Sequence, residues 1–110
     1  MANMIMQDDA LLATILERLV EHLRPHDVYL FGSRARGDAT GSSDYDLLVV
    51  VDHSDLPGHR RDREALHALR SIRAPVDVVV LTRDEFERVR HVRTSLPATV
   101  LREGKQLYAA

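Results

Sequence analysis

The sequence predicts an α/β fold of the α+β kind, a small β-sheet with helices packed over it. Three observations carry this reading. Short apolar, β-prone runs recur at residues 28–31, 46–51 and 76–81, and helix-periodic stretches flank or separate them. The chain has 110 residues, about one small domain, with no room for a second independent core. A single domain over residues 1–110 is therefore expected.

The elements follow in order. Asp8 and Asp9 precede Leu11, Leu12, Ile15, Leu16, Leu19, Val20 and Leu23, which recur at three- and four-residue steps. This is an amphipathic helix with an acidic N-terminal turn, ending before Pro25. Val28-Tyr29-Leu30-Phe31 is a buried strand that stops at Gly32. From 32 to 43 the apolar pattern vanishes, and Gly32, Gly37 and Gly41 among small polar residues predict a loop with room for one helical turn. Loops of this length between strong strands are often functional. Residues 46–51 are the second strand, too apolar for one face to be wet, and 52–58 a turn region closed by Pro57-Gly58. Residues 61–73 carry Leu66, Leu69 and Ile72 among charges, a helix with one buried stripe. After the third strand, 76–81, Thr82-Arg83-Asp84-Glu85 has the form of a capping box opening a helix with Phe86 and Val89. Ser95-Leu96-Pro97 starts the last helix, which runs to Glu103 before Gly104, and 105–108 is a final short strand. This order covers a sheet with helices and leaves the strand order open.

Composition narrows the function classes. The formal net charge is −2, so no global basic field is available to hold nucleic acid, and direct nucleic-acid binding is not expected. There are no cysteines, which removes disulfides, thiolate nucleophiles and Cys-based zinc sites. No apolar run approaches the roughly 20 residues of a membrane span, and residues 1–9 lack the pattern of a signal peptide. A cytoplasmic protein is expected.

The strongest local signal is Gly32-Ser33, ten residues, then Asp44-Tyr45-Asp46. Two residues apart on a strand, Asp44 and Asp46 share a face, with Cα atoms roughly 6.5–7 Å apart. Such a pair is a solvated strand start unless a cation lies nearby, and hard oxygen ligands suit Mg²⁺. Asp77 interrupts the run Val76, Val78 to Leu81, where an unpaired carboxylate is costly. Either it lies at an exposed strand end, or it has a partner. If its strand neighbours the one carrying Asp46, three carboxylates converge. Gly32 allows close backbone approach to a phosphate, Ser33 offers a hydroxyl and an N–H, and Arg34 and Arg36 can neutralise charge, with Arg34 read as the better placed.

Gly32-Ser33-Arg34-Ala35-Arg36-Gly37 followed by Ser43-Asp44-Tyr45-Asp46-Leu47 resembles the signature of the DNA polymerase β-like nucleotidyltransferase superfamily, and most of all its minimal branch, the MNT-domain or MntA-like antitoxins. Val76-Asp77-Val78 and the closing 102–108 segment extend the resemblance over nearly the whole chain. It implies a small mixed sheet flanked by helices, the polymerase β-like fold. It implies that Asp44 and Asp46 bind two Mg²⁺ ions, and that Asp77 ligates the catalytic metal and favours deprotonation of the attacking hydroxyl. Gly32 and Ser33, assisted by Arg34, would hold the β- and γ-phosphates of ATP. Tyr45 is expected to face away from the metals. The resemblance further implies transfer of AMP to a tyrosine of a partner HEPN-domain toxin. The alternatives are transfer to a small molecule or an RNA end, or a binding antitoxin that neutralises its partner by contact. Residues 83–93 and the C-terminal helix are candidate docking surfaces, though a solvated helix face is the stronger reading of both. The six histidines show no metal spacing, and Tyr29 and Tyr108 read as packing residues.

Overall fold

The computed structural model describes residues 9–41 and 43–110. Asp8 of the expected acidic turn, and most of the stretch inspected for a signal peptide, lie outside the described residues. Helix α1 (Ala10–Leu23) begins where the Asp9 carboxylate accepts the Leu12 N–H at 2.9 Å, satisfying one of the amide donors left open at a helix start. Asp9 is thus the cap itself and precedes the first turn, which contains no acid. Leu12, Ile15, Leu16 and Leu19 form its buried stripe, and Leu11, just off that face, is exposed. The helix ends at Arg24, in the left-handed region with φ 47°, just before Pro25.

Strands β1 (Asp27–Phe31), β2 (Tyr45–Val51), β3 (Val76–Thr82) and β4 (Lys105–Ala109) form one sheet in the order β3-β2-β1-β4. β1 runs antiparallel to β2 and β4, whereas β2 and β3 are parallel, so the sheet is mixed as expected. The loop after β1 contains one helical turn, α2 (Ser33–Arg36). The parallel pair requires a crossover, and α3 (Gly58–Ala68) supplies it.

Successive side chains in a strand point to opposite faces, and here each face has its own helical layer. Val28, Leu30, Leu47, Val49, Val78 and Val80 pack with the α1 stripe and with Ala65 of α3. On the other face Tyr29, Phe31, Leu48, Val50, Val79 and Leu81 meet Phe86 of α4 (Arg83–Val89) and Leu96 and Val100 of α5 (Leu96–Glu103). β2 is apolar from Leu47 to Val51, where both faces are covered. The stripe read for α3 is corrected. The helix stops at Ala68 and buries Arg61, Ala65 and Ala68, with Leu69 just beyond, which turns Leu66 out to 43% exposure.

Arg61 enters the interior because each nitrogen of its guanidinium finds an acceptor. Nε donates to Leu56 O (3.0 Å) and one terminal nitrogen to Val80 O (3.0 Å), while the fork grips both oxygens of Glu85 at 2.6 and 2.9 Å. Those bonds, with the Thr82 N–H, hold the Glu85 carboxyl down to about 2. Glu85 is also the far half of the predicted capping box: Thr82 accepts the Glu85 N–H while Glu85 accepts the Thr82 N–H. At α5 the Ser95 hydroxyl accepts the Ala98 N–H, with Pro97 in the first turn. Among the described residues, no helix is long and apolar enough to cross a membrane.

Candidate active site

β1 and β2 run in opposite directions, so the end of one lies beside the start of the other, and Phe31 sits opposite Asp46. Between them the chain makes a sharp bend at Gly32, whose φ of 74° and ψ of −158° fall where essentially only glycine is unstrained. A Cβ on Gly32 would overlap Oδ2 of Asp46. The Gly32 backbone therefore packs directly against that carboxylate.

β3 lies beside β2 in a register that places Asp77 opposite Asp46. Residues opposite one another share a face, so both carboxylates stand on the α4/α5 side of the sheet, beyond the point where those helices cover it. Asp44 precedes Asp46 by two residues. The Asp46 carboxyl is pushed above its ordinary range, first by burial, then by the charges of Asp77 and Asp44, and Arg36 opposes the shift. The structure thus brings Gly32, Asp44, Asp46 and Asp77 to one end of the sheet. Asp44 and Asp77 are exposed, so the site opens to the surface. Among the described residues, no three His, Cys, Asp or Glu side chains close into a ready-made metal cage. An open row of mutually repelling carboxylates fits a hard divalent cation, which keeps waters and completes its shell with substrate phosphates.

The two arginines of the loop differ in placement. Arg34, read as the one nearer a phosphate, donates Nε to Ser43 O at 3.0 Å and lies over the Tyr45 ring, 4.0 Å from its centroid. Arg36 is the arginine whose charge acts on Asp46, and its own partner is the exposed Asp38 at 3.4 Å. Tyr45 turns to the opposite face, as expected, and is buried in the α1 layer. Its hydroxyl donates to Asp9 Oδ2 at 2.8 Å. Burial, then the Asp9 hydrogen bond and charge, push the phenol up, with Arg34 opposing. Asp9 went unread as part of this region, although a buried phenol in an aliphatic strand demands a polar partner. The cleft of about 710 Å³ between α1 and α3, lined in part by Arg18, Glu64, His67 and Arg70, lies on the face away from the acids. Tyr29 stacks on Phe86 with centroids 6.0 Å apart, and Tyr108 packs against the α1-side core, the packing roles read for both.

A mixed sheet of this order, with an acidic row beside a Gly-Ser bend, is suited to handling a nucleotide with a divalent metal. The chain belongs to the nucleotidyltransferase domain family, whose pattern matches residues 12–104. That family acts in nucleotidyl transfer and generally uses a nucleotide substrate and a divalent metal. Among solved structures the chain is similar to a candidate nucleotidyltransferase from Sulfolobus solfataricus, with 27% identity and a TM-score of 0.64 over 91% of this chain and 78% of that one. It is also similar to a chain of a toxin–antitoxin structure with AMP-PNP, at 25% identity and a TM-score of 0.64 over 89% of this chain and 73% of that one. A mutant of the toxin–antitoxin MntA-HpeT shows 26% identity and a TM-score of 0.61 over 89% and 72%. These neighbours are consistent with a minimal nucleotidyltransferase. Comparison with curated proteins found no match.

Proposed function

We propose that this chain is a Mg²⁺-dependent antitoxin that transfers AMP from ATP to a tyrosine of a partner HEPN-domain toxin in the cytoplasm. The observation that carries the enzymatic part is the in-register pair Asp46 and Asp77 beside Gly32, with Asp44 acting on the same carboxylate. The toxin as partner is supported by two similar structures that are toxin–antitoxins, one of them with AMP-PNP. A site that opens outward suits an acceptor presented by another protein.

Asp44 and Asp46 would hold two Mg²⁺ ions, and Asp77 would share one of them. Bound there, the metal would lower the pKa of the attacking hydroxyl and offset charge on the triphosphate. Gly32 and Ser33 take the β- and γ-phosphates, where the absence of a side chain at 32 permits close approach. Arg36 supplies positive charge, and Arg34 contributes through the loop it holds. The phenol oxygen attacks the α-phosphorus in line as its bond to the β-phosphate oxygen breaks. Pyrophosphate leaves, AMP remains on the tyrosine, and the phenol proton passes to the Asp77 carboxylate. The protein's contribution is mainly positioning and electrostatic stabilisation.

The test is incubation with α-labelled ATP, Mg²⁺ and a HEPN-domain partner. Label should appear on a partner tyrosine and vanish in Asp44→Ala and Asp46→Ala variants that keep the wild-type fold. A tight complex without label would replace the enzyme with a contact antitoxin. Label on RNA or a small molecule would change the acceptor, and full activity in either variant would refute the metal assignment.

A further inference from the structure

Tyr45 sits between Asp44 and Asp46 in sequence and points to the opposite face, so whatever grips Tyr45 holds both acids from behind. Three parts of the molecule do so. The Arg34 guanidinium carbon lies over its ring, 4.0 Å from the centroid, while Nε donates to Ser43 O at 3.0 Å and a terminal nitrogen to Thr40 O at 3.5 Å. The Tyr45 hydroxyl donates to Asp9 at 2.8 Å, and the other Asp9 oxygen caps α1 at the Leu12 N–H. The Tyr45 N–H donates to Pro75 O at 2.9 Å, two residues before Asp77. Arg34 itself stands one residue after Ser33. A single side chain, with its backbone amide, therefore connects the Gly32-Ser33 bend, the Asp44–Asp46 segment, the start of β3 and the N-terminus of α1.

We propose that Arg34, Tyr45 and Asp9 form a brace that sets the spacing between the phosphate-side bend and the acids, making them positioning residues. This rests on the reading of the site as a nucleotidyl-transfer centre. Arg34 suits the task as lysine would not, because a planar guanidinium stacks on a ring and still directs N–H donors sideways to carbonyls. With donors on Ser43 and Thr40 and one face on Tyr45, its work is in the loop and its effect on ATP is indirect.

The test compares Arg34→Lys, which keeps the charge, with Tyr45→Phe and Tyr45→Leu. Three readouts are followed: hydrogen exchange at the Ser43 and Tyr45 amides, Mn²⁺ affinity by EPR titration, and kcat against KM for ATP. Both amides are hydrogen-bonded, to Thr40 O and Pro75 O. Arg34→Lys and Tyr45→Leu should each speed exchange at these amides at least about tenfold and weaken Mn²⁺ binding several-fold. They should lower kcat by about 10²-fold, the cost of roughly 1 Å of misplacement, while KM for ATP moves less than about threefold. The double variant should be little worse than either single one, since both cut the same connection. Tyr45→Phe, which keeps the ring and loses the Asp9 bond, should fall between. A raised KM for ATP in Arg34→Lys, with exchange and Mn²⁺ affinity as in the wild type, would make Arg34 a phosphate ligand and overturn the brace. Unchanged exchange in Tyr45→Leu would overturn it as well. If the wild-type protein binds neither Mn²⁺ nor ATP, the functional reading fails, and the exchange measurements still decide the brace.

Discussion

Replacing Gly32 by alanine tests the site at its tightest point. Two costs follow from the structure. The backbone there has φ 74° and ψ −158°, a region that a residue with a Cβ occupies only at about 1–3 kcal/mol. In addition, the new methyl would overlap the Asp46 carboxylate, which must turn away or push the bend outward. For a domain of this size each kcal/mol lowers Tm by about 4–8 °C, so backbone strain of about 1–3 kcal/mol alone predicts a fall of about 4–24 °C. A carboxylate displaced by about 1 Å would lower turnover about 10²-fold. Thermal melts and transfer of labelled AMP measure the two effects. Repeating the melt in an Asp46→Ala background separates the strain from the overlap, because the overlap disappears there and only the strain remains. A Gly32→Ala protein with wild-type melting and full turnover would refute the account of the bend.

Other outcomes follow from the same geometry. Asp46→Asn should raise Tm in EDTA, since it removes a half-buried charge crowded by Asp77 and Asp44, while ending turnover; Mg²⁺ should then stabilise the wild type alone, and a lower Tm in EDTA would contradict this. Glu85 is held down to about 2 from 4.5, so the folded protein binds fewer protons than the unfolded chain between those values. Its contribution is complete above about pH 4.5 and is lost as the pH falls towards 2. The shift corresponds to about 3 kcal/mol, which its 37% exposure reduces to about 1–2 kcal/mol through solvent screening. Urea midpoints from pH 6 to pH 2.5 should show this slope, and Glu85→Gln should flatten it. Leu19→Ala, at a fully buried position, should cost about 2–5 kcal/mol, whereas Leu66→Ala should stay within about 0.5 kcal/mol; the reverse order in denaturant melts would mean that the helix faces are misassigned.

Much of the fold was legible because its signals are local. The Thr82–Glu85 capping box and the Ser95 start both lie where their residue types place them, since a cap is decided within four positions. The one-turn helix at Ser33 falls inside the loop read from its glycines. Strand order was not legible, because pairing β2 with β3 depends on how α3 crosses the sheet. Leu66 was misread for a related reason: three- and four-residue steps from Leu69 allow two stripes, and tertiary packing chose the one through Ala65 and Ala68. The placement of Asp77 beside Asp46 was a conditional reading, and the parallel register meets the condition. Arg34 was preferred to Arg36 on its adjacency to the Gly-Ser turn alone, whereas the contacts that set the two apart, the Tyr45 ring and the Ser43 carbonyl, approach only when the loop closes. The Arg61–Glu85 fork was unreadable too, its partners standing 24 positions apart.

The coverage of β2 on both faces has a further consequence. Leu47, Leu48, Val49 and Val50 are all buried, so greasiness alone does not tell this strand which way up to lie. Shifted by one position, the four would still find apolar surroundings, and the usual safeguard against slippage is weak here. The ends must supply it. A slip would drive the Asp46 carboxylate into the α1 layer and leave the Tyr45 hydroxyl without Asp9. The Asp-Tyr-Asp triplet thus works as a key that fits its lock in one orientation, and the groups read as serving chemistry also decide how the central strand is threaded.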